Sequence, residues 1–311
     1  MTQTAAIAVE GLTFRYGEHQ ALDAVEFAVE PGGLFGLLGP NGGGKTTLFR
    51  VLSTLLPVQQ GQVRLLDCDV ARQPDAARRL IGVTFQSPSL DTRLTVFENL
   101  KHQSRLYGLP RTVWQPRTAR LLDELGLSDR RDDRVDSLSG GQRRRVEIAK
   151  GLLHDPQILL LDEPSAGLDP GARIDLWHCL QTLRRQQQVT ILLTTHLMEE
   201  ADKCDRVAIL DQGRLVVAGP PEVLRSELGG DCVSIRTQQP DALAAAILEQ
   251  TGQPAQQFAD ALRWETPSAQ QFIATLMSQF ADRIDSITWG KPTLEDVFVH
   301  HTGHRFGDPP R

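Results

Sequence analysis

The sequence lacks the features that mark disulfide-bonded, zinc-binding and membrane-spanning proteins. Its four cysteines are scattered and form no Cys-x-x-Cys pair, which argues against a zinc site and fits a chain kept reduced in the cytosol. No apolar run approaches the roughly 18 residues of a transmembrane helix, so we expect no membrane span. Residues 1–10 also lack the basic-then-apolar pattern of a signal peptide.

An excess of positive charge is also missing. The chain carries 33 lysine and arginine residues against 39 aspartate and glutamate residues, for a net charge of −6. Because a dedicated nucleic-acid-binding protein is usually basic, we expect no nucleic-acid partner. The length of 311 residues predicts about two domains at roughly 150 residues per domain.

A glycine-rich stretch matches the phosphate-binding pattern G-x-x-x-x-G-K-[ST]. Its residues are Gly39, Pro40, Asn41, Gly42, Gly43, Gly44, Lys45, Thr46 and Thr47. An apolar run at 34–38 predicts a buried strand before it and residues 46–52 predict a helix after it, which is the context that the pattern requires. The glycines let backbone N–H groups face phosphate oxygens, and the helix start adds partial positive charge. We therefore expect Lys45 to reach the β- and γ-phosphates and the Thr46 hydroxyl to ligate Mg²⁺.

A second glycine-containing helix start lies at Leu138-Ser139-Gly140-Gly141-Gln142. Ser139 is placed as the N-cap of a helix predicted to run to Leu153, and Ser-Gly-Gly at a helix start is a candidate anion site. The three arginines at 143–145 are interpreted as an exposed helical face with solvated charges, in preference to a nucleic-acid contact.

Two carboxylates follow the apolar run at 158–161. A buried parallel strand delivers its carboxyl end to the ligand crevice of a doubly wound sheet. Asp162 is therefore expected to hold Mg²⁺ through water, and Glu163 to polarise an attacking water. The next predicted strand, 189–195, ends at His196, which is placed to sense a γ-phosphate but taken alone is more often a satisfied turn histidine.

Tyr16 and Gln86 also lie near these motifs, with two interpretations each. Tyr16 precedes the glycine-rich stretch and either stacks on a purine ring or is an ordinary half-buried tyrosine at a strand end. Gln86 closes the short apolar strand predicted at 81–85 and, taken alone, is a surface loop residue.

The pattern of elements changes twice along the chain. Residues 7–14 are expected to form an edge strand at the start of an α/β domain. Between residues 91 and 138 the β-branched runs stop, and helices are expected at 95–107 and 112–125 as an insertion. Beyond residue 229, alternating strands and helices predict a small α+β unit.

Together these motifs resemble those of the ATP-binding subunit of an ABC transporter, in order and spacing, over about residues 5–228. In that resemblance residues 39–46 are the Walker A motif, 138–142 the LSGGQ signature, and 158–162 Walker B. The resemblance makes Glu163 the catalytic glutamate, Gln86 the Q-loop residue and His196 the switch histidine. It also makes Tyr16 the adenine-stacking aromatic and residues 166–169 the D-loop.

The resemblance implies a fold, a domain division and a set of cofactors. The fold is a P-loop NTPase ABC cassette of the α/β class, with a mainly parallel core sheet, an antiparallel β subdomain and a helical insertion at about 89–155. The cassette is expected to cover residues 1–228, an accessory α+β domain 229–302 and a flexible tail 303–311. The cofactors are ATP and Mg²⁺, with catalytic roles for Lys45, Gln86, Glu163 and His196, and with Mg²⁺ held by Thr46, Gln86 and Asp162.

The sequence around residues 81–86 and 94–100, together with the tail at 292–298, is similar to the daunorubicin-resistance type of exporter ATPase. This implies export of a drug, lipid or polysaccharide-like substrate through a separately encoded membrane subunit, at the cytoplasmic face of the cell membrane. It also implies a homodimer in which ATP on Lys45 of one copy is covered by Ser139 and Gly141 of the other, with Gly140 and Gln142 beside them.

Three alternatives stay open at this point. A soluble ABC ATPase acting on ribosomes or DNA is disfavoured because each motif occurs once and only about 90 residues separate Walker A from the signature. An importer ATPase is disfavoured only by the similarity of the tail. A non-catalytic binding module is disfavoured because both Glu163 and His196 are present.

Overall fold

The computed structural model describes residues 5–258 and 261–306. The elements of the first part, in chain order, are β1 (Ile7–Tyr16), β2 (His19–Val29), β3 (Leu34–Leu38), α1 (Lys45–Leu52), β4 (Gln60–Leu65), β5 (Cys68–Asp69), α2 (Pro74–Leu80) and β6 (Ile81–Thr84). A helical segment follows with α3 (Val96–Leu106), α4 (Arg111–Glu124) and α5 (Gly140–Leu152). Then come β7 (Ile158–Asp162), α6 (Pro170–Gln187), β8 (Thr190–Thr195), α7 (Met198–Ala201), β9 (Arg206–Asp211), β10 (Arg214–Gly219) and α8 (Pro221–Ser226). The last part contains β11 (Asp231–Arg236), α9 (Pro240–Thr251), β12 (Gln256–Phe258), β13 (Ala261–Thr266), α10 (Ala269–Phe280), β14 (Ser286–Gly290) and α11 (Leu294–Thr302).

The central sheet has the strand order β10-β9-β3-β8-β7-β6, with only β10 antiparallel to its neighbour. Every residue of β3, β7 and β8 is buried, as expected for parallel strands covered by helices on both faces. The register pairs Leu38 with Thr195 and Asp162 with Thr194. The carboxyl ends of these strands therefore lie side by side at one edge of the sheet, where ligands bind in such folds.

The expectation that residues 7–14 form an edge strand is wrong. β1 lies between β2 and β4 in a four-stranded antiparallel sheet of order β2-β1-β4-β5. Alternating burial along a strand reports which face meets the core, but it does not report whether the backbone has one neighbour or two.

The helical insertion begins at a well-formed cap. The Thr95 hydroxyl accepts from the backbone N–H of Glu98, whose carboxylate accepts from the backbone N–H of Thr95, so α3 starts with a reciprocal capping box. The predicted helices at 95–107 and 112–125 correspond closely to α3 and α4. Their apolar residues Val96, Leu100 and Leu121 join the buried cluster that also covers β7 and β8.

Residues 231–290 form a β-α-β-β-α-β unit with the antiparallel strand order β12-β13-β11-β14. Alternate residues of its two central strands, including Val233, Ile235, Leu262 and Trp264, pack on α9 and α10 in a separate apolar cluster. The α+β character predicted for this part of the chain follows from that alternation.

The last helix, α11, follows the β-α-β-β-α-β unit in the chain but packs against the first part of the protein. Val297 and Phe298 are fully buried in the cluster that contains Val207 of β9 and Leu224 of α8. After the helix, His304 Nε2 lies 2.9 Å from Asp211 Oδ2 and the Phe306 ring packs edge-on against Phe298. The division at residue 229 stays a proposal, and the part of the expected tail at 307–311 lies outside the described residues.

None of the helices in 5–258 and 261–306 combines the length and apolarity needed to cross a membrane.

Replacing Phe298 by alanine should destabilise the first part of the chain by about 3–5 kcal/mol, because a fully buried aromatic side chain would leave a cavity in its core. The measurement is urea unfolding of the full chain. Met277→Ala is the control because that residue is 47% exposed on α10. Equal unfolding curves for the two variants would show that α11 contributes nothing to this core.

Candidate functional site

The glycine-rich loop joins the end of β3 to the start of α1 at the carboxyl edge of the central sheet. Gly44 is the N-cap of α1 with φ +104°, a conformation that residues with a Cβ rarely adopt. No side chain caps this helix. The amides at the start of α1, where Thr46 and Thr47 lie, therefore remain available to an anionic ligand.

Lys45 is only 5% exposed, and its ammonium lies inside the curve of the loop. Its Nζ donates to the carbonyl of Gly39 at 2.7 Å and to that of Pro40 at 3.0 Å. Burial lowers the pKa of Lys45, and the negative charges of Glu163 and Asp162 act in the opposite direction. The ammonium is therefore held within electrostatic reach of both carboxylates. Asn41 and Gly42 lie exposed at the tip of the loop.

Asp162 is buried at the end of β7 and is held by its neighbour on β8. The Thr194 hydroxyl donates to Asp162 Oδ1 at 2.6 Å and accepts from the backbone N–H of Glu163 at 2.9 Å. Burial raises the pKa of Asp162, and the bond from Thr194 opposes that shift. Sequence reasoning missed Thr194, because a threonine in an apolar strand carries no signal until the β7–β8 register is known.

Three predicted residues meet at the ends of three adjacent strands. Gln86 Nε2 lies 3.3 Å from Glu163 Oε2, and His196 Nδ1 lies 3.3 Å from Glu163 Oε1. Because β6, β7 and β8 are neighbours, residues that are far apart in the chain become neighbours at this edge. Glu163 itself has φ +42°, a strained value for a residue with a side chain. Gln86 and His196 thus contact the strained Glu163 side chain from two sides.

Ser139 caps α5 as predicted, and its side chain is engaged within its own helix. The Ser139 hydroxyl accepts from Gln142 N at 3.2 Å, and Gln142 Oε1 accepts from Ser139 N at 2.9 Å. A Cβ on Gly141 would lie 2.7 Å from Ala172 Cβ, so glycine allows α5 to approach α6 closely there. Ser139 and Gly140 are exposed, and no hydrogen bond joins residues 139–142 to residues 39–47 in the described chain.

The interpretation of residues 143–145 as a solvated face is wrong for Arg144, which is only 7% exposed. Arg143 is exposed, as expected. The helical period turns Arg144 toward the central sheet, and composition alone does not report that orientation. Its guanidinium donates to the carbonyls of Pro164 (2.9 Å), Phe85 (2.6 Å) and Asp162 (2.8 Å) and to the carboxylate of Glu147 (2.9 Å). Arg144 thereby joins α5 to the strand ends that precede Gln86 and Glu163.

Tyr16 lies at the end of β1 with 44% of its surface exposed. Its ring packs edge-on against Phe14, with 4.9 Å between the ring centroids. An exposed aromatic ring is compatible with stacking on a purine. That role stays a prediction, as do the ligand-binding roles of the other candidate residues.

The sequence of this chain is similar to those of known proteins. The family described as ABC transporter matches residues 22–166. The chain is 37% identical to the daunorubicin resistance ATP-binding protein DrrA2 of Streptomyces coeruleorubidus, over 96% of each chain. It is 38% identical to the Nod factor export ATP-binding protein I of Ralstonia nicotianae, over 98% of this chain and 96% of that protein. The chain belongs to the family of ABC transporter ATP-binding proteins.

A solved structure supports the fold of this ABC ATPase. The structure of cbiO1 from Clostridium perfringens, part of the ABC transporter complex cbiONQ, matches with a TM-score of 0.68 and 28% identity, over 72% of this chain and 92% of that chain. The predicted cassette fold and the resemblance to daunorubicin-resistance ATPases are confirmed. The protein binds ATP and hydrolyses it, as the ATPases of this family do.

Replacing Arg144 by alanine should lower the free energy of unfolding by roughly 3–5 kcal/mol, because Glu147 would stay buried without its cation. Arg143→Ala is the matched control: the adjacent side chain is exposed and makes one hydrogen bond, to the carbonyl of Asp136. Chemical denaturation of the two variants provides the measurement. If Arg144→Ala unfolds at the same denaturant concentration as Arg143→Ala, the buried network does not stabilise the protein.

Proposed function

We propose that this ABC ATPase powers export of a substrate through a separate membrane subunit, using two ATP sites formed between two copies of the chain. The observation that carries the proposal is the cluster of Gln86, Glu163 and His196 beside the glycine-rich loop. Export is supported by the daunorubicin resistance and Nod factor export relatives, which match nearly the whole chain. The proposed substrate is a drug, lipid or polysaccharide-like molecule.

The phosphates of ATP would lie on the loop at 39–44 and the start of α1. The uncapped amides there supply donors, and the Lys45 ammonium would exchange the carbonyls of Gly39 and Pro40 for phosphate oxygens. That exchange replaces two neutral acceptors with charged ones, which strengthens the hydrogen bonds. The exposed ring of Tyr16 would stack on the adenine.

Mg²⁺ is the cofactor that the oxygen-bearing side chains at this edge fit. Asp162 is a desolvated carboxylate with one oxygen oriented by Thr194, and Thr46 is exposed in the first turn of α1. Gln86 donates its amide N–H to Glu163, which leaves its carbonyl oxygen for a cation. Hard cations prefer such oxygen ligands. When bound, Mg²⁺ would neutralise charge that develops on the transferred phosphoryl group.

Glu163 would act as the general base. Its carboxylate would take a proton from water as the water oxygen bonds to the γ-phosphorus, while the bond between that phosphorus and the ADP oxygen breaks. Gln86 and His196 contact opposite oxygens of Glu163 and would restrict its orientation. His196 is partly exposed at the end of β8 and would hydrogen-bond the γ-phosphate.

The signature residues would act on ATP bound to a second copy. Ser139 and Gly140 are exposed, and within residues 5–258 and 261–306 they make no hydrogen bond to the glycine-rich loop of the same chain. A symmetric pair would let each copy supply Walker A to one site and residues 139–142 to the other.

A groove beside the site would receive the membrane subunit. Its volume is about 450 Å³, and it lies between the end of α1, β6 and α3. Leu55 and Tyr107, which line it, are 59% and 41% exposed. Arg78 and Lys150 add positive charge at the same groove. A cytoplasmic segment of a permease docked there would hold the ATPase against the cytoplasmic face of the membrane.

Glu163→Gln should reduce steady-state ATP hydrolysis by roughly 10²–10⁴-fold while ATP binding persists, because the amide cannot accept the proton from water. The variant should also accumulate as an ATP-bound dimer in sedimentation. Glu222→Gln on α8 is the control because that carboxylate is exposed on another element. Wild-type turnover in Glu163→Gln would overturn the proposed mechanism.

The composite site makes a separate prediction. Ser139→Arg and Lys45→Ala chains should each be inactive alone, because the first blocks the signature and the second removes the phosphate-binding charge. Mixing them should restore part of the ATPase activity, since the intact signature of the Lys45→Ala chain meets the intact Walker A of the other. Wild-type hydrolysis by Ser139→Arg alone would contradict the two-copy site.

A further inference from the structure

The segment that follows Glu163 is a strained turn held from several sides. Glu163 has φ +42°, and such a conformation persists only where surrounding contacts fix it. Thr194 accepts from the backbone N–H of Glu163, and Arg144 donates to the carbonyl of Pro164. The third contact is made by Ser165, whose hydroxyl donates to Oε1 of Glu200.

Glu200 joins this turn to the segment that carries His196. Its other oxygen, Oε2, accepts from the Thr195 hydroxyl at 2.6 Å, and Thr195 directly precedes His196. The Thr195 hydroxyl also accepts from the backbone N–H of Leu197, on the other side of the histidine. The Glu200 carboxylate therefore contacts both Ser165 and Thr195. Ser165 lies two residues after Glu163, and Thr195 lies one residue before His196.

The side chains in this bridge are almost completely buried. Ser165, Thr195 and Glu200 each expose 2% or less of their surface. Within the described chain, Glu200 has no lysine, arginine or histidine partner, so two hydroxyls alone satisfy its carboxylate. A buried carboxylate without a cation is costly, and an apolar residue would fill the same space at lower cost. The presence of this destabilising carboxylate favours a role for Glu200 in fixing the geometry of the site.

We propose that Glu200 is a positioning residue that holds the side chains of Glu163 and His196 in the relative positions needed for hydrolysis. The proposal rests on the proposed roles of those two residues. The bridge holds the turn at 163–165 against the end of β8, so the contact of 3.3 Å between His196 Nδ1 and Glu163 Oε1 survives while ATP and water enter and leave. Without the hydrogen bonds of Glu200, the strained turn would relax and the Glu163 carboxylate would no longer be oriented toward the attacking water.

The experiment compares Ser165→Ala, Glu200→Ala and Glu200→Gln in the full-length chain. Ser165→Ala and Glu200→Ala should lower kcat about 10- to 100-fold with little change in KM for ATP, because misplacement of a base affects chemistry more than binding. Glu200→Gln should retain most of the wild-type kcat. Its amide oxygen can accept from Thr195 while its N–H₂ donates to the Ser165 hydroxyl, so the bridge survives without the charge.

A second readout separates positioning from general stability. In the Glu163→Gln background, Ser165→Ala should have almost no further effect on the single-turnover rate, because both changes act through the same base. Ser104→Ala is the matched control: that serine is also buried and its hydroxyl also donates one hydrogen bond, but to the carbonyl of Lys101 within α3. It should leave kcat unchanged.

The outcomes distinguish this proposal from the proposed function. If Glu163→Gln abolishes turnover while Ser165→Ala keeps the wild-type kcat, Glu200 does not position the site and the proposed function stands. A Glu200→Gln variant as slow as Ser165→Ala would also overturn the bridging role. If Glu163→Gln itself keeps wild-type turnover, the proposed function fails first. Should Glu200→Ala not fold, Ser165→Ala and Glu200→Gln decide the question.

Discussion

The parallel pairing of β6, β7, β8 and β3 is the constraint on which the site depends. Because these strands run in the same direction in fixed register, their carboxyl ends meet at one edge and deliver Gln86, Glu163 and His196 to the same place. The glycine-rich loop leaves β3 at that edge. A slip of one residue in β7 would turn Asp162 to the opposite face and separate it from Thr194.

Buried polar groups then refine what the sheet brings together. Arg144 links α5 to the ends of β6 and β7, and Thr194 and Glu200 join β8 to the strained turn at 163–165. Each of these side chains is buried, so each must be hydrogen-bonded to be tolerated. That requirement makes the geometry near Glu163 specific, since alternative arrangements would leave buried donors or acceptors unpaired.

The C-terminal part is physically joined to the cassette. Its β-α-β-β-α-β unit has its own apolar core, but α11 contributes Phe298 to the core beneath β9 and α8. His304 contacts Asp211, and the hairpin turn that follows Asp211 donates from Gly213 N to the carbonyl of Gly43 in the glycine-rich loop. A continuous set of contacts thus runs from the end of the described chain to the loop proposed to bind phosphate.

The sequence by itself determined the local features, because those depend on residues close together in the chain. The glycine-lysine loop between a strand and a helix, the Ser139 cap and the carboxylates after an apolar strand all follow from local geometry. Only the tertiary structure decided that β1 is an internal strand, that Arg144 is buried and that Thr194 holds Asp162. The physical reason is that strand neighbours, helix orientation and long-range hydrogen bonds are set by packing between distant segments. The hydrogen bond between Ser165 and Glu200, for example, joins residues far apart in the chain and forms only because the folded sheet brings them together.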